Sequence, residues 1–486
     1  MKQSSMGKSL MMKKGSILFD VGELRQHLFC IKKYRKDTLK SFRINLANKF
    51  IGGFKMSHTQ LIKDTLNILD LNIHFEENCL TKEKYKGQIC LIYKGTLLYK
   101  PEECPHCLCV VPSRIIRWGT TTVRLLLNDV SEYRTYLELK KQRFKCKSCQ
   151  RTFVADTSVA EKYCFISQKV RWSVIARLKE NTSMTEIARQ KNISTSSVYR
   201  VMKRFYRPLN PFKQTLPKVL CFDEFKSVRH VTSAMSFIMM DGQSHALLDI
   251  VENRRLPYLE RYFSRFSLAT REAVQWIVID MYAPYVSLVK KLFPNAQLII
   301  DRFHIVQHIG RTFLNHRVKE TTARLKGTSH SQRGLGKKLK RYWKLLQKEE
   351  AKLNYEKRVW RASFKDYLTE SEIVDRLLSA CPNLRQGYQL YQDILYAVKK
   401  RDQSLFEDCL NREVSGLPET YTTTLRTFKK FLPQIQNALH YSYSNGPLEC
   451  LNNHIKVLKR NAYGFRSFYN FKLRIMIRHG KTFLTK

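Results

Sequence analysis

The stretch VLCFDEFKS, residues 219–227, sets two acids directly behind an apolar run. Val219, Leu220, Cys221 and Phe222 have the character of a buried strand, and Asp223 and Glu224 interrupt it. A buried carboxylate is expensive unless it has a partner, a cation or a solvent-filled cleft. Downstream, SAMSFIMM and HALLDIVEN flank Asp241-Gly242, a hairpin signal, so three antiparallel strands are expected. LPYLERYFSRF then has helical spacing, and VQWIVID (274–280) is a short apolar run ending in Asp280. YVSLVKKLF reads as a helix, AQLIID (296–301) as a strand ending in Asp301, and RFHIVQHIGRTFL as a further helix.

Three antiparallel strands followed by alternating helices and parallel strands is the order of a ribonuclease-H-like fold. In that order the first and fourth strands are neighbours, so Asp223 and Asp280 converge at one edge. Two carboxylates there repel unless a divalent cation lies between them, and the hard ion Mg²⁺ suits oxygen donors. A third acid from a later helix would complete a site for in-line attack on phosphodiesters. For a single acid the plainer reading is a strand-end cap or salt bridge; the pair in this fold order argues for the metal.

The third acid is sought in YSNGPLECLNNHIKVLKRNAYGFRSFYNFKLRI, residues 443–475. Ser444-Asn445-Gly446 reads as a turn and Pro447 suits a first helical turn. Glu449 follows in that turn, with Asn453, Lys456 and Arg460 along its face. An acid there also favours the helix dipole. Lys456, Lys459 and Arg460 are candidates for neutralising phosphates beside the scissile bond. Glu449 lies 169 residues beyond Asp280, and the lysine-rich chain between is expected to form an α-helical insertion over about 302–440. Within it Trp343 and Trp360 are expected to pack in a core rather than stack on a base. Asp301 is expected to cap the helix that follows it, and His304 to position a phosphate or water, both behind the primary ligands. Cys221 and Cys450, beside the acids, are read as small packing residues.

Two further modules precede this region. CPHCLC (104–109) and CKSC (146–149) give Cys104-x-x-Cys107 and Cys146-x-x-Cys149, two knuckles that close a tetrahedral thiolate site around zinc. TTVRLLLND and EYRTYLELKKQRF between them read as the strands of a zinc ribbon. The 38-residue gap exceeds the usual spacing, and His106 and Cys109 are spare ligands. A closed four-ligand site is structural. SVIARLKENTSMTEIARQKNISTSSVYRVMKRFY, residues 173–206, has the apolar spacing of a helix-turn-helix. Asn192 tolerates the positive φ of the turn and Ser194 suits an N-cap. Thr195, Ser196, Ser197, Tyr199 and Arg200 are then the candidate DNA contacts on the exposed side of the second helix.

The whole chain agrees with a polyanionic partner. Its 486 residues carry 87 Lys plus Arg against 41 Asp plus Glu, a net charge of +46, which points to nucleic acid before a membrane surface. At 43% hydrophobic residues, large cores are available. No run of about 18 apolar residues is present, so no membrane span is expected. Thirteen cysteines in a long lysine-rich chain do not resemble a secreted disulfide scaffold, and a cytoplasmic, nucleoid-associated protein is expected. No Ser-His-Asp set or phosphate-cradling glycine loop stands out. Lys32, Lys33, Arg35, Lys36, Lys40 and Arg43 lack helical periodicity, whereas an amphipathic pattern begins at Met56. Residues 1–55 are therefore read either as upstream of the natural start or as a basic DNA-binding arm.

CFDEF, VIDMYAPY, DRFHIVQH and SNGPLECLNNHIKVLKRNAYGFRSF resemble signature blocks of the ISL-three family of insertion-sequence transposases, and the resemblance covers about residues 56–480. It implies Asp223, Asp280 and Glu449 as a DDE triad using Mg²⁺ or Mn²⁺, with structural Zn²⁺ on Cys104, Cys107, Cys146 and Cys149. It implies cleavage and strand transfer of double-stranded DNA, at element ends and target, by a homodimer or larger complex. The expected domains are a basic extension over 1–55, a zinc-ribbon module over 56–155, a helix-turn-helix over 160–210 and a ribonuclease-H-like catalytic domain over 215–480. A non-catalytic DNA-binding regulator and a structure-specific nuclease of the same fold are the alternatives.

Overall fold

A computed structural model describes residues 57–205, 210–228 and 233–480; the question raised over residues 1–55 lies outside them. Two compact units are formed. The first holds the described residues up to Thr81, Tyr93–Thr122 and Leu139–Asp156, and the second holds Lys82–Ile92, Val123–Glu138 and the chain from Thr157 on.

The N-terminal part begins with α1 (His58–Leu66), capped by the Ser57 side chain. Strands β1 (Ile73–Tyr85), β2 (Gln88–Leu97), β3 (Ile115–Leu126), β4 (Arg134–Cys146) and β5 (Thr152–Val154) follow, in the sheet order β1-β2-β4-β3 with β5 on β4. The β1–β2 hairpin was not anticipated. Lys86 and Gly87 turn it with φ of 52° and 82°, the paired positive values that match strand twist.

Three helices come next: α2 (Gln168–Leu178), α3 (Met184–Gln190) and α4 (Thr195–Phe205). Ser183 caps α3 by accepting from Glu186 N. Asn192 turns the chain at φ 53°, and Ser194 Oγ accepts from Ser197 N at the start of α4.

The second sheet contains β6 (Val219–Lys226), β7 (Met235–Asp241), β8 (Leu247–Val251), β9 (Trp276–Ile279) and β10 (Gln297–Ile300). Its order is β10-β9-β6-β7-β8. β6–β7 and β7–β8 pair antiparallel; β6–β9 and β9–β10 pair parallel. Helices α5 (Leu256–Phe263) and α6 (Leu268–Glu272) precede β9, and α7 (Ala283–Leu292) joins β9 to β10.

Alternation along the strands sends side chains to two cores. Leu220, Phe222, Ile277, Ile279, Leu298 and Ile300 face one core, shared with α5, α7 and the helices that follow β10. Cys221, Phe225, Val278 and Ile299 face the other, shared with Val174, Ile187 and Val198 of the helix triplet. The triplet is thus continuous in packing with the back of this sheet. By the same parity Asp223, Asp280 and Asp301 fall on the second face.

The insertion starts with the 25-residue α8 (Arg302–Lys326). It continues through α9 (His330–Arg341), α10 (Trp343–Gln347), α11 (Glu370–Ser379), α12 (Pro382–Lys400), α13 (Gln403–Asn411), α14 (Glu419–Lys430) and α15 (Leu432–His440). It is not wholly helical: β11 (Val359–Arg361) and β12 (Asp366–Leu368) form an antiparallel hairpin. Nor are its tryptophans core residues. Trp343 is 40% and Trp360 52% exposed, the latter paired with Tyr367 across the hairpin. The chain closes with α16 (Gly446–Asn461) and α17 (Phe468–His479), whose apolar sides enter the second core. Among the described residues no helix is long and apolar enough to cross a membrane.

Candidate active site

Asp223 lies two residues past Cys221 on β6, so it faces α16 rather than the Phe222 core. Its Oδ1 accepts from the Glu224 backbone N–H at 2.7 Å, and its Oδ2 accepts from Asn452 Nδ2 at 2.6 Å. Burial pushes its pKa up to about 7, and the nearby Asp280 charge adds to that; the two hydrogen bonds and His304 oppose it. Glu224 alternates away. It accepts from Tyr285 Oη at 2.5 Å and pairs with Arg254, so its charge is already compensated.

Asp280 follows β9 directly and meets His304, in the first turn of α8, with His304 Nε2 2.8 Å from Asp280 Oδ1. The same nitrogen is 3.5 Å from Glu449 Oε1. Burial works against a charged His304, yet the hydrogen bond and charge of Asp280, with Asp301 and Glu449, raise its pKa. Glu449 stands in the first turn of α16, and its pKa is raised by burial and then by the charge of Asp301.

Asp301 occupies the N-cap position of α8, as expected from its place after β10, but its side chain makes no capping hydrogen bond. Its Oδ1 instead accepts from Ser444 Oγ at 3.0 Å and from Asn445 N at 3.2 Å, which fixes the start of the Glu449 helix. Its Oδ2 is buried without a protein partner. Asn445 is fully buried and donates from Nδ2 to the Phe222 carbonyl at 2.9 Å, one residue before Asp223. Asn445 and Asn452 therefore tie α16 to β6 on either side of Glu449. The sequence marks Asn445 only as part of a turn and does not mark Asn452, although they stand four residues before and three after Glu449, at helical spacing.

Asp301 and His304, expected behind the primary ligands, both lie beside Glu449. Asp301, His304 and Glu449 form the tight cluster, with one ligand atom from each within 4.8 Å of the others. Asp223 and Asp280 line an adjoining cavity of about 270 Å³ together with His304, Arg254 and Arg311. His304 joins the two groups. Oxygen donors dominate: two carboxylates stand in the cluster, two more in the adjoining cavity, and one buried oxygen of Asp301 has no protein hydrogen-bond partner. That donor chemistry fits a hard divalent ion.

Other expected residues fare differently. Ser196 and Arg200 are exposed and Thr195 and Tyr199 half-buried, but Ser197 is buried, bonded to Ser194 and Arg200. Ser197 is therefore a structural residue of the α4 start. Thr195, Tyr199 and Arg460 line one groove of about 960 Å³ between the helix triplet and the end of α16. Lys456 and Arg460 are exposed. Lys459 instead reaches the carbonyls of Lys226 and Ser227 at the end of β6. Cys221 is buried as expected, whereas Cys450 is exposed.

In the first unit the sulfurs of Cys104, Cys107, Cys146 and Cys149 lie within 4.8 Å of one another. Cys104–Cys149 and Cys107–Cys146 are both 3.7 Å apart, too long for a disulfide. Four thiolates about 2.3 Å from a tetrahedral Zn²⁺ stand roughly 3.8 Å apart, so the set fits that ion. Backbone N–H groups, that of Cys149 first, hold the Cys146 thiol down to about 6. His106 and Cys109 stay outside the cluster.

Fold and site together describe a mixed α/β protein with an N-terminal zinc ribbon and a carboxylate-lined centre. Residues 220–475 match the ISL-three family model described as transposase, and residues 100–149 match the zinc finger of the IS204/IS1001/IS1096/IS1165 transposases. The chain belongs to this transposase family. Among curated relatives, a 118-residue stretch is 73% identical to a Lactococcus lactis protein called an ATP-dependent protease, covering 24% of the chain. The transposase for insertion sequence element IS1001 of Bordetella parapertussis is 22% identical over 73% of the chain. An uncharacterised protein in transposable element ISH50 of Halobacterium salinarum is 27% identical over 40%. The chain spans 38%, 84% and 58% of these three relatives, respectively.

Proposed function

We propose that this transposase cuts DNA at the ends of its insertion sequence and joins the freed ends to target DNA, at one centre built on a ribonuclease-H-like sheet. The observation that carries the reading is that Asp223 and Asp280 line one cavity with His304, whose ring also reaches Glu449 from a distant helix. Asp223, Asp280 and Glu449 would hold Mg²⁺ or Mn²⁺, with Asp301 clustered beside Glu449 and His304. Bound there, the metal supplies a Lewis acid for the attacking and leaving oxygens of an in-line phosphoryl transfer.

The chain's own residues do the rest. Asn452 and the Glu224 N–H aim the Asp223 carboxylate. Asp301 and Asn445 hold the Glu449 helix at its register. His304 keeps Asp280 and Glu449 together, and Arg311 offers positive charge at the cavity wall. Strand transfer repeats the same displacement with a 3′-hydroxyl in place of water, so one site serves both steps.

Address comes from elsewhere. The zinc-ribbon module (56–155) and the helix triplet (160–210) bind the terminal repeats, through Thr195, Ser196, Tyr199 and Arg200 among others; the catalytic domain occupies 215–480. Two ends call for a dimer or larger complex. Cleavage of a terminal-repeat duplex with Mg²⁺, wild type against Asp223→Ala, tests the reading. Equal cleavage by the variant removes it, and cleavage that never leads to joining marks a nuclease instead.

A further inference from the structure

Helix α9, HSQRGLGKKLKR, carries Arg333, Lys337, Lys338, Lys340 and Arg341 and no acid. None of the five forms an ion pair among the described residues, whereas α8, α11 and α12 carry such pairs, as at Arg324–Glu320, Arg376–Asp366 and Arg412–Asp393. Arg333, Lys337, Lys338 and Arg341 wall a groove of about 1030 Å³ whose floor includes Leu335, Phe364 and Leu377. An unpaired cationic row along a groove has a polyanion as its natural occupant.

The fold fixes where this row lies. α8 begins at the active site with His304 and runs 25 residues. α9 returns along it. A Cβ on Gly336 would fall 2.9 Å from the Leu325 backbone nitrogen, and Trp343 lies against Arg317, 5.7 Å from guanidinium to ring centre. Those two contacts set α9 and the start of α10 antiparallel to residues 317–325 of α8. At 1.5 Å rise per residue that is about 20 to 32 Å from His304 along one straight element. On duplex DNA at 3.4 Å per step, it corresponds to about 6 to 9 base pairs.

The helix that leads to the row and the helix that holds the triplet meet opposite edges of the sheet. α8 leaves the sheet at edge strand β10, whereas α17 joins the triplet to the opposite edge, β8, through Lys472–Asp249 and the Arg474 bonds to Glu180 and Thr182. If the triplet holds the element, DNA leading away past the cut runs toward α9. We propose that α9 is a second, sequence-independent binding site for duplex DNA. It grips the phosphates of the flank about 6 to 9 base pairs beyond the scissile bond. The inference rests on the transposase reading for its substrate.

The test measures affinity for terminal-repeat duplexes whose flank grows from about 2 to about 12 base pairs, at several salt concentrations. Wild type is compared with Arg333→Glu/Lys337→Glu/Arg341→Glu, all exposed positions, with zinc content and melting temperature as folding controls. Wild type gains at least about tenfold in affinity once the flank passes about 6 base pairs, and the variant does not; its salt slope falls by about 2 to 3, one unit per lost phosphate contact. A variant with the wild-type length and salt dependence overturns the proposal. So does a variant that keeps the length dependence but loses mass by sedimentation without DNA, which would make α9 a contact between copies. Asp223→Ala in the same series separates the two readings: flank-dependent binding with undiminished cleavage would sink the catalytic triad and leave α9 standing.

Discussion

Asn452 Nδ2 donates to Asp223 Oδ2 at 2.6 Å, a side-chain contact between residues 229 apart in the chain. With Asn445 on the Phe222 carbonyl, it makes the register of α16 against β6 depend on two amides. Glu449 lies between those two positions, so the placement of the third acid is set by them. Asn452→Ala should therefore lower Mg²⁺-dependent cleavage by about 10- to 100-fold, the usual cost of losing a partner that orients a ligand. Binding of terminal-repeat DNA should change little. Cleavage at the wild-type rate would show that the amide only fills space.

The pKa of Asp223 gives a pH signature in the metal-free protein. Its folded value, about 7, is raised above the ordinary 3.8 by burial. The charged form is therefore penalised in the fold. The penalty is absent below pH about 4, grows as pH rises towards 7 and is constant above. Asp223→Asn should raise the melting temperature at pH 8 and leave it nearly unchanged at pH 4. Mg²⁺ should stabilise the wild type at pH 8 and not the variant. An equal melting temperature for both proteins at pH 8 would contradict the burial argument.

These dependences explain what was legible in the sequence. Strand runs ending in acids are local signals, and β6, β9 and β10 carry Asp223, Asp280 and Asp301 where those runs stop. The two CxxC knuckles and the Asn192 turn are local too. The direction of the Asp301 side chain is not. A residue after a strand and before a helix is a natural N-cap, and only the arrival of Ser444 and Asn445, more than 140 positions away, draws it elsewhere. Trp343 and Trp360 failed for a related reason: aromatic residues are usually buried, but these two lie beside a cationic helix and on a two-stranded hairpin. The β1–β2 hairpin was missed because polar residues such as Glu76, Glu77, Lys82 and Lys84 blur its period-two pattern.

Zinc removal should act on address and not on the centre. Backbone N–H groups lower the Cys146 pKa, which favours its thiolate, and replacing it leaves three ligands for a site that needs four. Cys146→Ser, or treatment with a strong chelator, should release zinc and weaken terminal-repeat binding by at least about tenfold, because the folding energy of such a module is largely its metal-binding energy. Amide exchange in β6 and β9 should be unaffected. Specific binding that survives complete zinc loss would separate the ribbon from recognition.

Arg474 ties the helix triplet to the end of the chain. It is fully buried on α17 and donates from Nη2 to the carbonyls of Glu180 at 2.9 Å and Thr182 at 2.8 Å, at the corner between α2 and α3. Burial lowers its pKa to about 10, which still leaves it charged at neutral pH. Two charge-assisted bonds to otherwise open helix-end carbonyls are worth about 3 kcal/mol or more when broken in a buried place. Arg474→Ala should then speed amide exchange through α2 and α3 and reduce terminal-repeat affinity about tenfold or more. Arg474→Lys should rescue only in part, since a single ammonium lacks the planar fork that serves both carbonyls. Exchange through α2 and α3 that stays at the wild-type rate in Arg474→Ala would mean that the shared apolar core alone holds the triplet to the sheet.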